Sequence, residues 1–282
     1  MQDAFDYCAA LVRAADLDRF IATLFAPAER RGALHALYAF NVEVARVRDV
    51  AREPLPGEIR LQWWSDVVNG ERNGEAGANP VASALLSSMK AHQLRPQMLI
   101  DLIGARRFDL YDDPMVGLGD LENYARRTSS SLIALAARIL GGTRGCVGCE
   151  TAAASAGIAS GIAGILRAFP VHVAQGQLYV PVDTLERHGV RLSDVFAGRS
   201  SPGLEGTLAE LRNHARRHLA TAGEHIKVVP GEALPAFLPV ALVRPSLDRL
   251  ERTGPFAAKE ISSWRRQWLI WRAARNPVLI AG

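Results

Sequence analysis

The chain has 282 residues, 49% of them apolar and 22% charged, which is enough to bury a sizeable interior and excludes a disordered chain. Its net charge of +4 comes from arginines scattered along the whole length, so no nucleic-acid partner is expected and anionic ligands or lipid surfaces are favoured. Three cysteines, an odd number, exclude a disulfide framework in a chain this large and fit a reducing compartment.

No strand-like alternation is sustained, whereas apolar residues recur at three- and four-residue spacing, so the fold class is all-α, in one domain spanning 1–282. The opening stretch MQDAFDYCAALVRAADLDRF carries acids where a secretory signal needs positive charge, so export is not expected. A first helix covers about 4 to 14, and others follow over 28 to 50, 56 to 72, 80 to 91 and 96 to 110. Prolines 27, 54, 56, 80 and 96 punctuate their ends. GERNGEAGAN (70 to 79) reads as a mobile loop. A helix over 119 to 140 leads to Cys146 and Cys149, a C-x-x-C read as a Gly-rich helix connection because no second pair accompanies it.

The central helix, 150 to 175, contains Gly157 and Gly161 in a G-x-x-x-G spacing that lets it pass close to its neighbours. Its charge-free stretch, Thr151 to Leu166, is too short and too weakly apolar to span a bilayer unaided. Pro170 removes a backbone donor inside it and predicts a kink or an end. Asp183 and Glu186 fit a capping box opening the short helix TLERH, which Gly189 closes. After a second loop, 196 to 206, helices cover 204 to 227, 233 to 251 and 259 to 275. On the last, Trp264, Trp268 and Trp271 share one face beside Arg265, Arg266, Arg272 and Arg275. That face is either a core stripe, the preferred reading, or a peripheral membrane contact.

Four strings, ERRGALHALYAF, RLQWWSDVVNG, YARRTSSSLIALAARILGG and GILRAFPVHVAQGQLYVPVDTLERHGV, in this order and spacing, resemble the squalene and phytoene synthases over roughly residues 5 to 200. The resemblance implies a single-domain isoprenoid synthase bundle around a central cavity. In the enzymes, two aspartate-rich segments face each other there and hold magnesium ions on the diphosphates of two prenyl substrates. A leaving diphosphate develops negative charge that Mg²⁺ on carboxylate oxygens neutralises, and acids four apart share one helical face.

By the same resemblance, the first motif falls on residues 36 to 51, with Ala45 at an aspartate position, Arg46 next and Asp49 as the retained acid. The second falls on LRAFPVH, where Ala168, Val171 and His172 stand at acidic positions. One carboxylate does not make a magnesium cluster. Glu43, Arg46 and Asp49, spaced by three, read as a salt-bridged ladder. Arg46, Arg48, Arg167 and His172 are candidates to line the cavity mouth and bind phosphate directly, with pairing to local acids as the competing reading. Tyr38, Phe40, Tyr124 and Tyr179 are candidates to line the cavity itself, with core packing as the competitor, and Trp63 and Trp64 are read as packing residues.

AFNVEVARVRD, LRAFPVH and the later AFLPVALV are similar to a branch of the family that lacks the aspartate motifs and is regarded as aiding early membrane-arm assembly of respiratory complex I. That similarity implies a non-catalytic assembly or lipid-handling factor, cytoplasmic or peripheral on the inner face of a membrane, the matrix side in a mitochondrion. Its implied partners are complex I assembly intermediates or an isoprenoid lipid. No cofactor is then expected. The alternatives are an active prenyltransferase joining two isoprenyl diphosphates head-to-head, with Mg²⁺ on Asp49, and a binding protein for an isoprenoid diphosphate.

Overall fold

A computed structural model describes residues 2–51, 53–141, 146, 148–257 and 260–282. Every regular element among them is helical. The first half runs α1 (Gln2–Ala15), α2 (Leu17–Thr23), α3 (Ala28–Ala45), α4 (Val47–Val50), α5 (Pro54–Val68), α6 (Asn73–Ala76), α7 (Pro80–His92) and α8 (Pro96–Arg106). Prolines supply the first turns of α5, α7 and α8, where a missing N–H costs nothing. The Asn79 side chain accepts from Ala82 N–H to cap α7, and Asp16 does the same for Arg19 N–H at α2.

The expected helix over 28 to 50 is broken at Arg46, whose backbone leaves the helical region and turns α4 into a corner. Loop 70 to 79 contains α6, where Glu75 accepts from Trp63 Nε1 at 3.1 Å and pairs with Arg72 at 3.0 Å. The Glu43–Arg46–Asp49 ladder does not form: Glu43 pairs instead with Arg60 of α5 at 3.2 Å.

The second half runs α9 (Leu118–Ala125), α10 (Ser131–Gly141), α11 (Cys149–Ala174), α12 (Val182–Arg187), α13 (Leu192–Phe196), α14 (Pro202–Ile226), α15 (Val243–Arg252) and α16 (Ser263–Arg275). The expected helix over 119 to 140 is therefore interrupted, by a π turn at Arg126–Ser130. The segment read as helix from 233 begins as two 3₁₀ turns, Gly231–Ala236 and Leu238–Leu242. Pro235 and Pro239 block the α-helical bonding there, and the tighter turns tolerate this. Pro170, in contrast, does not end α11: only its own donor is lost, and Gln175 N–H reaches Val171 O at 3.0 Å beyond it.

No capping box opens α12. Asp183 pairs with Arg187 at 3.4 Å instead, while Gly189, at φ +66°, closes the turn as expected. Cys146 and Cys149, read from the sequence as a plain connection, are paired as a disulfide with Cα atoms 5.3 Å apart.

The core is continuous. Phe40 of α3 meets Trp64 of α5 edge-on at 5.2 Å, and Leu85 of α7 and Leu99 and Leu102 of α8 are fully buried around them. The axis of the bundle is α11, packed against α14, α10, α15 and the π turn. It is long and apolar enough to cross a membrane by length and composition alone, yet most of that apolar window is buried inside the fold. Small residues permit the close approach. A Cβ on Gly157 would stand 2.2 Å from Ser130 Cα, and one on Gly161 would stand 2.8 Å from Ala125 Cβ. At Gly164 nothing lies within 4 Å, and there the helix opens onto a cavity.

Candidate functional site

All five degenerate motif positions line one chamber of about 460 Å³. The α3–α4 corner contributes Ala45 and Asp49, and the second half of α11 contributes Ala168, Val171 and His172 opposite them. Thr128 and Ser129 of the π turn form another wall, as π turns commonly do at sites where a helix presents ligand-facing groups. A second chamber of about 450 Å³ adjoins the first and shares Arg19, Ser129, Ser160, Gly164 and Arg167 with it, then continues past Tyr38.

The floor of the first chamber is a buried polar network absent from the sequence reading. Asp109 Oδ1 accepts from the hydroxyls of Tyr124 and Tyr179, each at 2.7 Å. Its Oδ2 accepts from Arg106 Nη1 at 3.1 Å, Arg106 also reaches the Tyr124 hydroxyl at 2.7 Å, and Gln177 Nε2 donates to the Asp109 carbonyl at 2.8 Å. Burial, with Asp109 alongside, pushes the Tyr179 phenol far above its ordinary value, and Tyr124 moves the same way. Burial opposes the charge on Arg106, but Tyr124 and Asp109 hold its guanidinium above the usual range. The one signal for this network in the sequence is the three-residue spacing of Arg106 and Asp109.

The residues singled out from sequence separate into two groups. Tyr38, Tyr124 and Tyr179 line the chambers, whereas Phe40 is wholly buried against Trp64 and lines neither. Arg46 is exposed and lies outside both, while Arg48 lines the first chamber with its guanidinium engaged by Leu110 O and Asp112, each at 2.7 Å. Arg19 is likewise tied to Asp16 and lies over the Tyr38 ring. Arg167, at the junction of the chambers, pairs with no acid among the described residues. The His172 ring rests 4.5 Å from that of Tyr179, and burial lowers its pKa, so the neutral form is favoured; its Nδ1 is buried without a partner. Trp63 and Trp64 pack edge to face, as read from sequence.

The first chamber thus faces four guanidinium groups (Arg19, Arg48, Arg106, Arg167) with two carboxylates (Asp49, Asp109). Magnesium is usually held by one or two carboxylates together with substrate phosphates, so a cluster of several ions needs several free carboxylates. Here Asp109 spends its oxygens on Tyr124, Tyr179 and Arg106, and Asp49 shares the chamber wall with Ala168, Val171 and the His172 imidazole. The donor set does not fit a magnesium cluster.

The preferred reading of α16 is also reversed. Trp264, Trp268 and Trp271 are 70%, 46% and 43% exposed, while Ile270 and Ala273 carry the buried face. Arg272 stands over the Trp268 ring at 4.6 Å and Arg275 over Trp271 at 4.3 Å, forming a mixed aromatic and cationic surface.

Comparison with known proteins agrees with this architecture. The chain is 33% identical over 246 residues to the human protein named NADH dehydrogenase (ubiquinone) complex I, assembly factor 6, covering 87% of this chain and 73% of that one. It is 28% identical to the phytoene synthase of Thermus thermophilus, covering 95% and 92% of the two chains. A dehydrosqualene synthase crystal structure superposes with a TM-score of 0.82 at 16% identity, over 97% of this chain and 96% of that one, which shows a shared fold. The profile of the squalene/phytoene synthases matches residues 12–272. The chain belongs to the squalene/phytoene synthase family.

Proposed function

We propose that the chain is a non-catalytic member of the family, acting in the assembly of respiratory complex I at a membrane surface. The observation that carries this reading is the face-to-face placement of Ala45 and Asp49 against Ala168, Val171 and His172, a cavity without the carboxylates that ionising an allylic diphosphate needs. The relatives named complex I assembly factor 6 support the assembly role. The exposed tryptophans of α16, interleaved with arginines, support contact with the inner face of an anionic bilayer, on the matrix side in a mitochondrion.

A second reading rests on Arg167. A guanidinium that pairs with no acid among the described residues, beside Ser129 and Ser160 and between two chambers, suits the diphosphate of an isoprenoid lipid held without cleavage. No cofactor is required for either role.

The test is release of pyrophosphate from farnesyl or geranylgeranyl diphosphate with Mg²⁺, run beside affinity purification from membranes. The expected result is no release, no effect of Asp49→Ala on Mg²⁺ response, and co-purification of membrane-arm intermediates. Turnover abolished by Asp49→Ala would establish an active prenyltransferase instead. Thermal stabilisation by a non-hydrolysable diphosphate analogue, lost in Arg167→Glu, would establish the binding role.

A further inference from the structure

Away from the cavity, α9 and α14 bring three metal-binding atoms together. His214 and His218 stand four apart on α14, so their imidazoles leave the same face, and Glu122 of α9 lies opposite. Glu122 Oε1 is 2.6 Å from His214 Nε2 and 3.4 Å from His218 Nε2, and the two Nε2 atoms are 3.2 Å apart. The His214 side chain is 11% exposed, while those of Glu122 and His218 are 27% and 23% exposed, so one side of the cluster is open to solvent.

We propose that Glu122, His214 and His218 form a binding site for a divalent transition-metal ion of the zinc type, with its remaining coordination positions left to water. Two imidazoles and one carboxylate are a donor set suited to such ions and poorly suited to magnesium. The spacing agrees. With metal–ligand bonds of about 2.0–2.2 Å, neighbouring donors of a tetrahedron stand about 3.3–3.6 Å apart. Two of the three separations are already 3.2 and 3.4 Å. The third is the Glu122–His214 hydrogen bond, which opens by about 0.7 Å when an ion replaces its proton.

Two cations oppose the ion and give the proposal a distinctive test. Arg217 Nη2 donates to His214 Nδ1 at 2.9 Å, and Arg126 Nη2 lies 3.8 Å from Glu122 Oε2. A neutral histidine bound to metal through Nε2 carries its proton on Nδ1, so the exposed Arg217 side chain has to swing away. Glutamine at that position offers an acceptor to Nδ1–H and removes the charge. A triad serving only as a hydrogen-bonded link between helices predicts no metal uptake in either form.

The experiment is calorimetric titration of the chelator-treated full chain with Zn²⁺, and visible absorption with Co²⁺. The expected result is one equivalent bound, with Co²⁺ ligand-field bands. Glu122→Gln and His218→Gln each weaken it by about tenfold or more, and Arg217→Gln strengthens it by about tenfold. All three glutamine variants keep hydrogen-bonding groups in place, and their circular dichroism and melting temperatures report whether they remain folded. Absence of a stoichiometric site in the folded wild-type chain would overturn the proposal, as would uptake unchanged by Glu122→Gln and His218→Gln or weakened by Arg217→Gln.

Discussion

Adding one methyl group to α11 is expected to have opposite effects at two glycines seven residues apart. At Gly164 nothing lies within 4 Å of the new Cβ, so Gly164→Ala gains the helix propensity of alanine, about 0.5–1 kcal/mol, and places a methyl group in the cavity wall. At Gly157 the Cβ would sit 2.2 Å from Ser130 Cα and Oγ and 2.3 Å from its N. Unstrained carbon contacts need about 3.5–4.0 Å, so the helix and the π turn have to separate by at least about 1.3 Å. Overpacking of this kind costs about 1–3 kcal/mol, and against backbone that cannot rotate away the upper end of that range applies, which outweighs the propensity gain by about 2 kcal/mol. Urea unfolding followed by circular dichroism separates the two: the midpoint rises for Gly164→Ala and falls for Gly157→Ala at similar slope. Equal midpoints, or a fall at Gly164 alone, would refute the view that Gly157 is what lets the π turn seat Thr128 and Ser129 in the cavity wall.

Asp109→Asn leaves the half-buried Arg106 guanidinium without its counter-charge and is expected to cost about 2–3 kcal/mol in denaturant unfolding, whereas Asp49→Ala, at an exposed corner, shifts the midpoint by less than about 0.5 kcal/mol. Tyr38 and Tyr179 have phenols raised by burial, so above the ordinary tyrosine value the unfolded chain loses protons that the folded chain keeps. Stability then falls as pH rises above about 10, by about 1.4 kcal/mol per pH unit for each tyrosine, and Tyr38→Phe with Tyr179→Phe flattens that slope in unfolding series at increasing pH. Replacing Trp264, Trp268 and Trp271 by serine removes exposed aromatic area, so sedimentation with anionic vesicles falls at least about tenfold while the melting temperature changes little.

The family resemblance places Ala45, Ala168, Val171 and His172 at acidic positions; the amino-acid order by itself determined the helical class, most helix positions and the close passage at Gly157 and Gly161. These properties are local: three- and four-residue periodicity, proline at first turns and glycine in helices act within a few residues of where they stand. Tertiary structure decided how the remaining charged and aromatic groups are used. Asp109 is sealed by Tyr179, 70 residues away, Arg48 is taken by Asp112, 64 away, and Glu122 meets His214 across 92. Such pairings depend on which helix faces meet, and no spacing along the chain encodes that. The tryptophan stripe of α16 shows the same division: its periodicity permitted either a core or a surface, and the burial of Ile270 and Ala273 on the opposite side turned the indoles and their arginines outward.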